Sequence, residues 1–332
     1  SDEALCDIFA YGDSATMDRY FDIYTQLEEF SKKHGIISET LLYNYLIDAN
    51  IPFFLQDIDY TVVLSLCNTI AICGDSASGK TTLSELLKKF FDNSFVLEGD
   101  RYHKWERSNE NWNKITHLNP EANYLSKMSN DIFDLKIGKA AYQVDYNHKT
   151  GRFTEKEKIE NPDNIIVCGL HSLYTSNSNL YNLKVFMDTD EELRKKWKIE
   201  RDTKLRGKSS EEVISQIEAR KEDYQNFIEP QKELSDLIIK FYPSNSTSND
   251  ISLKISIRNS YPLVEILKIF SKIGVSFSTE IGSDFNIVTF DSYFRCKLFD
   301  KDELNSYNFY DYIIFFILSF NSFIGCHSVI LY

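Results

Sequence analysis

The chain has 332 residues and a formal net charge of −13, which repels nucleic acid and anionic membranes in bulk, so any anionic ligand must be drawn to a local cationic cluster. With 42% hydrophobic and 26% charged residues it can bury a core, which excludes a disordered tail and leaves room for one large α/β domain with additions at either end. Six cysteines (Cys6, Cys67, Cys73, Cys168, Cys296, Cys326) form no CxxC pair, so they read as reduced thiols and not as a disulfide framework or a zinc site. No basic-then-apolar segment opens the chain, and the most apolar stretch, IIFFILSF at 313–320, is too short to cross a bilayer and reads as a buried strand. The expectation is a cytoplasmic protein without a nucleic-acid or membrane partner.

Residues 15–49 carry apolar side chains at helical spacing (Tyr20, Phe21, Tyr24, Leu27, Phe30, then Leu41, Leu42, Tyr45, Leu46), which predicts two helices parted by His34-Gly35. Pro52 and the acidic stretch around Asp57 and Asp59 lead into the apolar segment at 61–73. Short apolar runs then alternate with amphipathic ones: TIAICG, a helix near 79–91, SFVLEGD, a helix near 129–137, NIIVCG, LKVFMD, helices at 190–206 and 210–228, and DLIIKF. Strands alternating with helices predict a mostly parallel sheet flanked by helices, with ligands at the carboxyl ends of its strands. After Tyr242 the polar PSNSTSND reads as a linker, and ISLKISIR, GVSFSTE, NIVTF and YFRCKLF read as a small antiparallel addition.

Within TIAICGDSASGKTTLSELLKKF, the residues Gly74, Gly79, Lys80 and Thr81 fit G-x-x-x-x-G-K-[ST] between an apolar strand and an amphipathic helix. Such a Walker A loop lets successive N–H groups of Gly74, Asp75, Ser76, Ala77, Ser78, Gly79, Lys80, Thr81 and Thr82 face phosphate oxygens, aided by the helix dipole. ATP is the expected ligand, with Lys80 reaching its terminal phosphates and the Thr81 hydroxyl supplied to Mg²⁺.

The second strand ends in LEGDRYHKWER, which places Asp100, His103 and Arg107 at its carboxyl end, where a carboxylate can take a hydroxyl proton and cationic groups can hold an anion. Asp-x-aromatic-His with Arg four residues on resembles phosphoribulokinase. The similarity continues through THLNPEANYL, YNHKTG, GLHSLY, KIERDTKLRG and IEARKEDYQNFIEPQK over roughly 68–242, with a further echo in DSYFRCKLFD at 291–300. The resemblance, to the phosphoribulokinase and uridine kinase family of P-loop kinases, implies Asp100 as general base on a sugar hydroxyl. It implies His103 and Arg107 as sugar-phosphate ligands, Lys198, Arg201 and Arg206 as further phosphate contacts, ribulose 5-phosphate as the acceptor, and a homodimer. The spacing itself puts Lys198 and Arg201 on one helical face, where a solvated basic surface is the alternative. His148 and His171 read as structural, and Mg²⁺ coordination competes with the base role of Asp100.

The pattern departs from the family at Cys168, in IIVCGLH, where members carry Glu. A neutral thiol is a poor ligand for a hard cation. Either another carboxylate (Glu98, Asp75 or Asp100) compensates, or the residue was engineered, or the chain is an inactive nucleotide-binding relative; a nucleoside (uridine-type) or other sugar-phosphate kinase is the remaining alternative. Ser78 stands where light-regulated plant members have a cysteine, so disulfide switching of the loop is not expected. Residues 1–60 lie outside the resemblance. Their FAYGDSATMD, with Asp13 and Asp18, is similar to the last motif of haloacid-dehalogenase-type phosphatases, but the DxDx[TV] nucleophile motif is missing and no phosphatase activity is expected. The expected organisation is a helical N-terminal extension at 1–60, a P-loop kinase domain at 61–242 and a β-rich C-terminal part at 251–332.

Overall fold

The computed structural model describes residues 67–290, apart from 113, 161, 175–179, 245–249 and 273–275, together with residues 294–295. The two helices expected over 15–49, the phosphatase-like motif with Asp13 and Asp18, the linker residues 245–249, most of the DSYFRCKLFD segment and the apolar stretch at 313–320 lie outside the described residues. Among the described residues no helix is long and apolar enough to cross a membrane.

The elements, in order, are β1 (Asn68–Gly74), α1 (Lys80–Phe90), β2 (Ser94–Glu98), α2 (Leu125–Lys136), β3 (Ala141–Gln143), β4 (Tyr146–Asn147), β5 (Arg152–Phe153), β6 (Glu157–Ile159), β7 (Asn164–Gly169) and β8 (Leu183–Thr189). They continue with α3 (Glu191–Arg206), α4 (Ser210–Ala219), β9 (Leu237–Pro243), β10 (Asp250–Arg258), α5 (Leu263–Lys272), β11 (Phe277–Ile281), β12 (Phe285–Phe290) and β13 (Phe294–Arg295). The main sheet runs β11-β12-β10-β9-β8-β1-β7-β2, with β13 also on β10. Strands β2, β7, β1, β8 and β9 run parallel to one another. The α/β architecture expected from the alternating pattern is the one observed.

All six residues of β7 are buried, as the continuous apolar run requires of a strand covered on both faces. Alternate residues of β1 feed two separate cores: Ile70 and Ile72 pack with Leu83 and Leu87 of α1, whereas Ala71 and Cys73 pack with Met128, Ile132 and Leu135 of α2. Period-two alternation in the central strand thus fixes which helix lies on which face.

Details that differ from the sequence-based expectation have physical causes. The C-terminal strands form the expected antiparallel addition, as a continuation of the main sheet: β10 pairs antiparallel with β9 from Ile251 opposite Pro243 to Ile257 opposite Leu237, and β12 and β11 extend the sheet further. The intervening α5, which the sequence reading did not include, lays Ile266 and Phe270 on the same core as Ile72 and Val288. Within the expected helix at 210–228, α4 starts with a capping box (Ser209 and Glu212) but ends at Ala219, and Arg220 leaves regular helical geometry at φ −105° and ψ 0°. Further helical turns run on to Leu234. α2 begins at Leu125, four residues earlier than expected, because Tyr124 at its start makes no side-chain cap to mark it.

Gly99, the residue after β2, packs against Gly169 at the end of β7. A Cβ on Gly169 would stand 2.9 Å from the Gly99 Cα, and one on Gly99 would stand 3.1 Å from the Gly169 Cα. Gly169→Val is therefore expected to lower the free energy of unfolding by about 1–3 kcal/mol, the usual cost of forcing extra atoms into a packed interior. A urea titration with an unchanged midpoint would show that the two strand ends can separate freely.

Candidate active site

The loop between β1 and α1 is shaped by backbone conformation. Gly74 has φ +142°, and a Cβ there would lie 2.5 Å from the Met187 carbonyl oxygen and 2.9 Å from Ser78 Oγ, so no side chain fits. α1 has neither a side-chain cap nor an acidic residue in its first turn, which leaves its N–H groups and positive dipole end directed at the loop. Lys80 is nearly buried and its Nζ donates to the Asp75 carbonyl oxygen at 2.6 Å. Thr189 Oγ1 donates to the Ser78 carbonyl oxygen at 3.1 Å.

A cleft of about 910 Å³ opens beside the loop. Of the loop residues predicted to bind ATP, Ser76, Ala77, Gly79, Lys80, Thr81 and Thr82 line it. Gly74 and Ser78 form the floor behind them, and the Asp75 side chain turns away: its Oδ1 accepts from the Ser76 N–H at 2.6 Å, and its Oδ2 accepts from Arg194 of α3. All the residues expected to face the acceptor (Asp100, His103, Arg107, Lys198, Arg201 and Arg206) line the same cleft.

Asp100 follows β2 in a single helical turn spanning Gly99–Tyr102. Its Oδ1 lies 3.3 Å from His103 Nε2 and its Oδ2 lies 3.0 Å from His148 Nε2. Burial opposes ionisation of Asp100, but the two imidazoles outweigh it and hold its carboxyl well below the usual range. His103 is fixed from behind, because its Nδ1 is 2.9 Å from Asn123 Oδ1 while Asn123 Nδ2 donates to the His117 and Asn119 carbonyls, both at 3.0 Å. With the amide nitrogen committed to carbonyls, Oδ1 is the acceptor and the Nδ1–H of His103 the donor. His148, read from sequence as structural, thus belongs to the site. Arg107 Nη2 in turn donates to the His148 carbonyl at 2.7 Å.

An aromatic wall closes this side of the cleft. The rings of His117 and His103 stand 3.9 Å apart, His117 and Trp112 4.1 Å, and Trp112 is nearly parallel to Tyr146 at 5.8 Å. Burial, with the nearby charges of His103 and Arg220, pushes His117 down to about 3, so it is neutral. Both its ring nitrogens lack a hydrogen-bond partner among the described residues. His171 is structural as expected: it is buried and packed with its Nε2 3.1 Å from the His117 carbonyl.

On the opposite side, one carboxylate organises the basic helix α3. Fully buried Asp202 receives Lys198 Nζ at 2.9 Å, Arg201 Nε at 2.9 Å and Arg206 Nη1 at 3.4 Å. Burial opposes its ionisation, but these three cations bring Asp202 down to about 2. Burial brings Lys198 down to about 8 despite Asp202, with Arg201 adding repulsion. Arg201 Nη2 also donates to Ser76 Oγ at 3.0 Å, tying α3 to the phosphate loop. The break after α4 places Arg220 in the cleft, where among the described residues its guanidinium has no hydrogen bond or ion pair. Sequence reasoning missed Asp202 and Arg220 as site residues, although both sit in segments that carry the resemblance.

At the end of β7, Cys168 is buried and its thiol is pushed up to about 11, so it is neutral. Glu98 faces it across the β2–β7 pairing. Burial raises the Glu98 carboxyl, and the charges of Asp100 and Asp145 raise it further. Counted along the lining, seven basic side chains oppose three acidic ones (Glu98, Asp100, Glu212), so a chain with a net charge of −13 does concentrate positive charge in one place.

Residues 69–248 match the family model described as the Phosphoribulokinase / Uridine kinase family. The chain is 34% identical over 192 residues to phosphoribulokinase of Synechocystis, covering 57% of this chain and 58% of that protein. It is 30% identical over 224 residues to the chloroplastic phosphoribulokinase of Spinacia oleracea, covering 61% and 56%. It is also 34% identical over 190 residues to uridine kinase of Lactococcus lactis subsp. cremoris, covering 55% of this chain and 92% of that one. The chain thus spans little more than half the length of the phosphoribulokinases it matches. Among solved structures, phosphoribulokinase from Rhodobacter spheroides superposes with a TM-score of 0.54 at 20% identity, over 68% of this chain and 90% of that one, a likeness of fold.

Replacing Asp202 by Asn keeps the shape but leaves three cations around a neutral group. The expected loss is about 3–5 kcal/mol of unfolding free energy, as for removal of one partner from a buried ion pair, read in a urea titration. In the unsubstituted protein this contribution is complete above the ordinary carboxylate pKa near 4 and is lost as pH falls towards about 2, so the stability gap between the two proteins should close in acid. A gap that persists unchanged at pH 2 would show that the Asp202 charge is not its source.

Proposed function

The chain belongs to the phosphoribulokinase / uridine kinase family, and on that premise we propose that it transfers the γ-phosphoryl group of ATP to a hydroxyl of a sugar phosphate, with ribulose 5-phosphate giving ribulose 1,5-bisphosphate. The observation that carries this reading is Asp100, held ionised between His103 and His148 in a cleft that has the phosphate loop on one side and Arg107 on the other. Proximity of two anionic substrates is the main obstacle to such a reaction, and positioning with charge neutralisation is how a protein lowers it.

The loop N–H groups, Lys80 and the N-terminus of α1 hold the triphosphate, while Arg201, joined to Ser76, carries positive charge to its terminal end. Arg107 and the cations gathered on Asp202 hold the acceptor phosphate. Asp100 orients the acceptor hydroxyl and takes its proton. A carboxylate held well below its usual range is a weak base, but phosphoryl transfer through a loose transition state needs little proton abstraction before the new bond forms, so orientation is its larger contribution. The oxygen donors lining the cleft beside the loop, the Thr81 hydroxyl and the carboxylates at the end of β2, fit a hard divalent cation such as Mg²⁺. When bound, that ion supplies neutralisation of the phosphate charge.

The uridine kinase relative motivates the second reading, a nucleoside acceptor. The surplus of cations beyond the loop favours a phosphorylated one.

Mg²⁺-dependent ADP release, measured with ribulose 5-phosphate, ribose 5-phosphate, uridine and no acceptor, separates the two. Stimulation by ribulose 5-phosphate is expected, with Arg107→Ala raising the acceptor KM at least about tenfold, the loss of one charged hydrogen bond. Stimulation by uridine that survives Arg107→Ala would establish the nucleoside reading. With Lys198 at about 8, kcat/KM for the phosphorylated acceptor is expected to fall as pH rises through that value and Lys198 loses its charge. Lys198→Arg should move the fall to higher pH, and a profile unmoved by that substitution would assign the titration to another group.

A further inference from the structure

β2 and β7 run parallel in register, and the residue paired with Cys168 is Glu98. Both line the large cleft with Lys80 and Thr81. Cys168 places a neutral thiol at the end of β7, beside the phosphate loop, where a hard cation needs oxygen donors and negative charge.

Asp75, Asp100 and Glu98 are the carboxylates at the ends of β1 and β2, and two of them are already engaged. Asp75 is directed away from the cleft by Arg194 and the Ser76 N–H. Asp100 has an imidazole on each oxygen. Glu98 differs: among the described residues its carboxylate has no hydrogen bond and no ion pair. The cation beside it, Arg101, is committed to Glu157 at 2.7 Å. A part-buried carboxylate next to the Asp100 charge, without a partner, is a costly arrangement that a bound cation would relieve.

We propose that Glu98 takes over, from the neighbouring strand, the cation-organising role that Cys168 cannot fill, acting with the Thr81 hydroxyl on the divalent metal that accompanies the nucleoside triphosphate. Adjacent strands are about 4.8 Å apart, a displacement that the long Glu side chain and one metal-bound water can span. The assignment rests on the kinase reading above and deepens it, because it explains how the site retains a hard-cation ligand despite a thiol at the strand end.

The test measures Mn²⁺ binding by electron paramagnetic resonance, with the full chain saturated by a non-hydrolysable ATP analogue, alongside the affinity for the analogue without metal. Glu98→Gln is expected to weaken Mn²⁺ by about tenfold or more, the usual size of losing a group that supports a metal's ligands. The metal-free analogue affinity should change less than about twofold, well under 1 kcal/mol. Adding Cys168→Glu to Glu98→Gln should recover the Mn²⁺ affinity. If the double variant does not fold, as judged by thermal melting, the single Glu98→Gln comparison decides the matter. Unchanged Mn²⁺ affinity in Glu98→Gln, with the analogue still bound, overturns the role of Glu98 and leaves the kinase reading standing. No binding of the analogue by the unsubstituted protein overturns the kinase reading, and the role of Glu98 with it.

Discussion

The contact between Gly99 and Gly169 is the constraint on which the site depends. A Cβ on Gly169 would press on the Gly99 backbone and one on Gly99 would crowd Gly169, so the chain just past β2 and the end of β7 pack this closely because both residues are glycine. This contact sets Glu98 at the end of β2, Asp100 just past it and Cys168 on β7 beside the phosphate loop at the end of β1, which pairs with the far side of β7. The helical turn after β2 then aims Asp100 at His103 and His148. A slip of one residue in the β2–β7 register would exchange inward for outward side chains and remove Glu98 from its place opposite Cys168.

The second organising element is charge held out of water. Asp202 neutralises part of the repulsion among Lys198, Arg201 and Arg206, which would otherwise spread these side chains along α3. Its own burial would be unfavourable without them, so the carboxylate and the cations require one another. Arg201 spans two roles, bonding Asp202 through Nε and Ser76 through Nη2. Movement of α3 is thereby coupled to the loop that holds the triphosphate, and Arg194, bonded to Asp75, makes a second link between the same two elements.

What the residues disclose without a structure follows from how local each signal is. The β1–loop–α1 unit is a short-range pattern of apolar run, glycines and amphipathic helix, and its limits in the fold agree with the sequence to within a residue or so. β9 and β10 are neighbours in sequence, but the alternation within a strand does not say which sheet edge it joins, so the growth of one sheet through β10 was not legible. α5 was legible in principle, since Pro262 precedes Leu263, Ile266, Leu267 and Phe270 at helical spacing, but the β-rich stretches around it masked that period. In the site, residues whose side chains carry the chemistry were recognisable by type. Asp202 was not, because an acidic residue inside a basic helix reads as an ordinary i, i+4 surface pair until burial is known. Arg220 was hidden for a different reason: neither Gly nor Pro marks the irregular turn that swings it inward. Likewise Asp75, Glu98 and Asp100 were equivalent as letters, and only their partners distinguish them.

The distribution of charge bears on the acceptor. Beyond the loop, Arg107, Lys198, Arg201, Arg206 and Arg220 all line the cleft, and of the acidic residues near them Asp100 already faces two imidazoles while Asp202 is shared among three cations. On the reading proposed above a triphosphate on the loop engages Lys80, while Arg107 donates to the His148 carbonyl beside the Asp100 pair. A sugar hydroxyl alone would leave the part-buried, unpartnered Arg220 facing a neutral ligand, with its desolvation uncompensated. A phosphate monoester carries a charge of about −1.5 to −2 near neutral pH and presents oxygens in the geometry that guanidinium groups match. On the proposed reading, two anions balance these cations better than one.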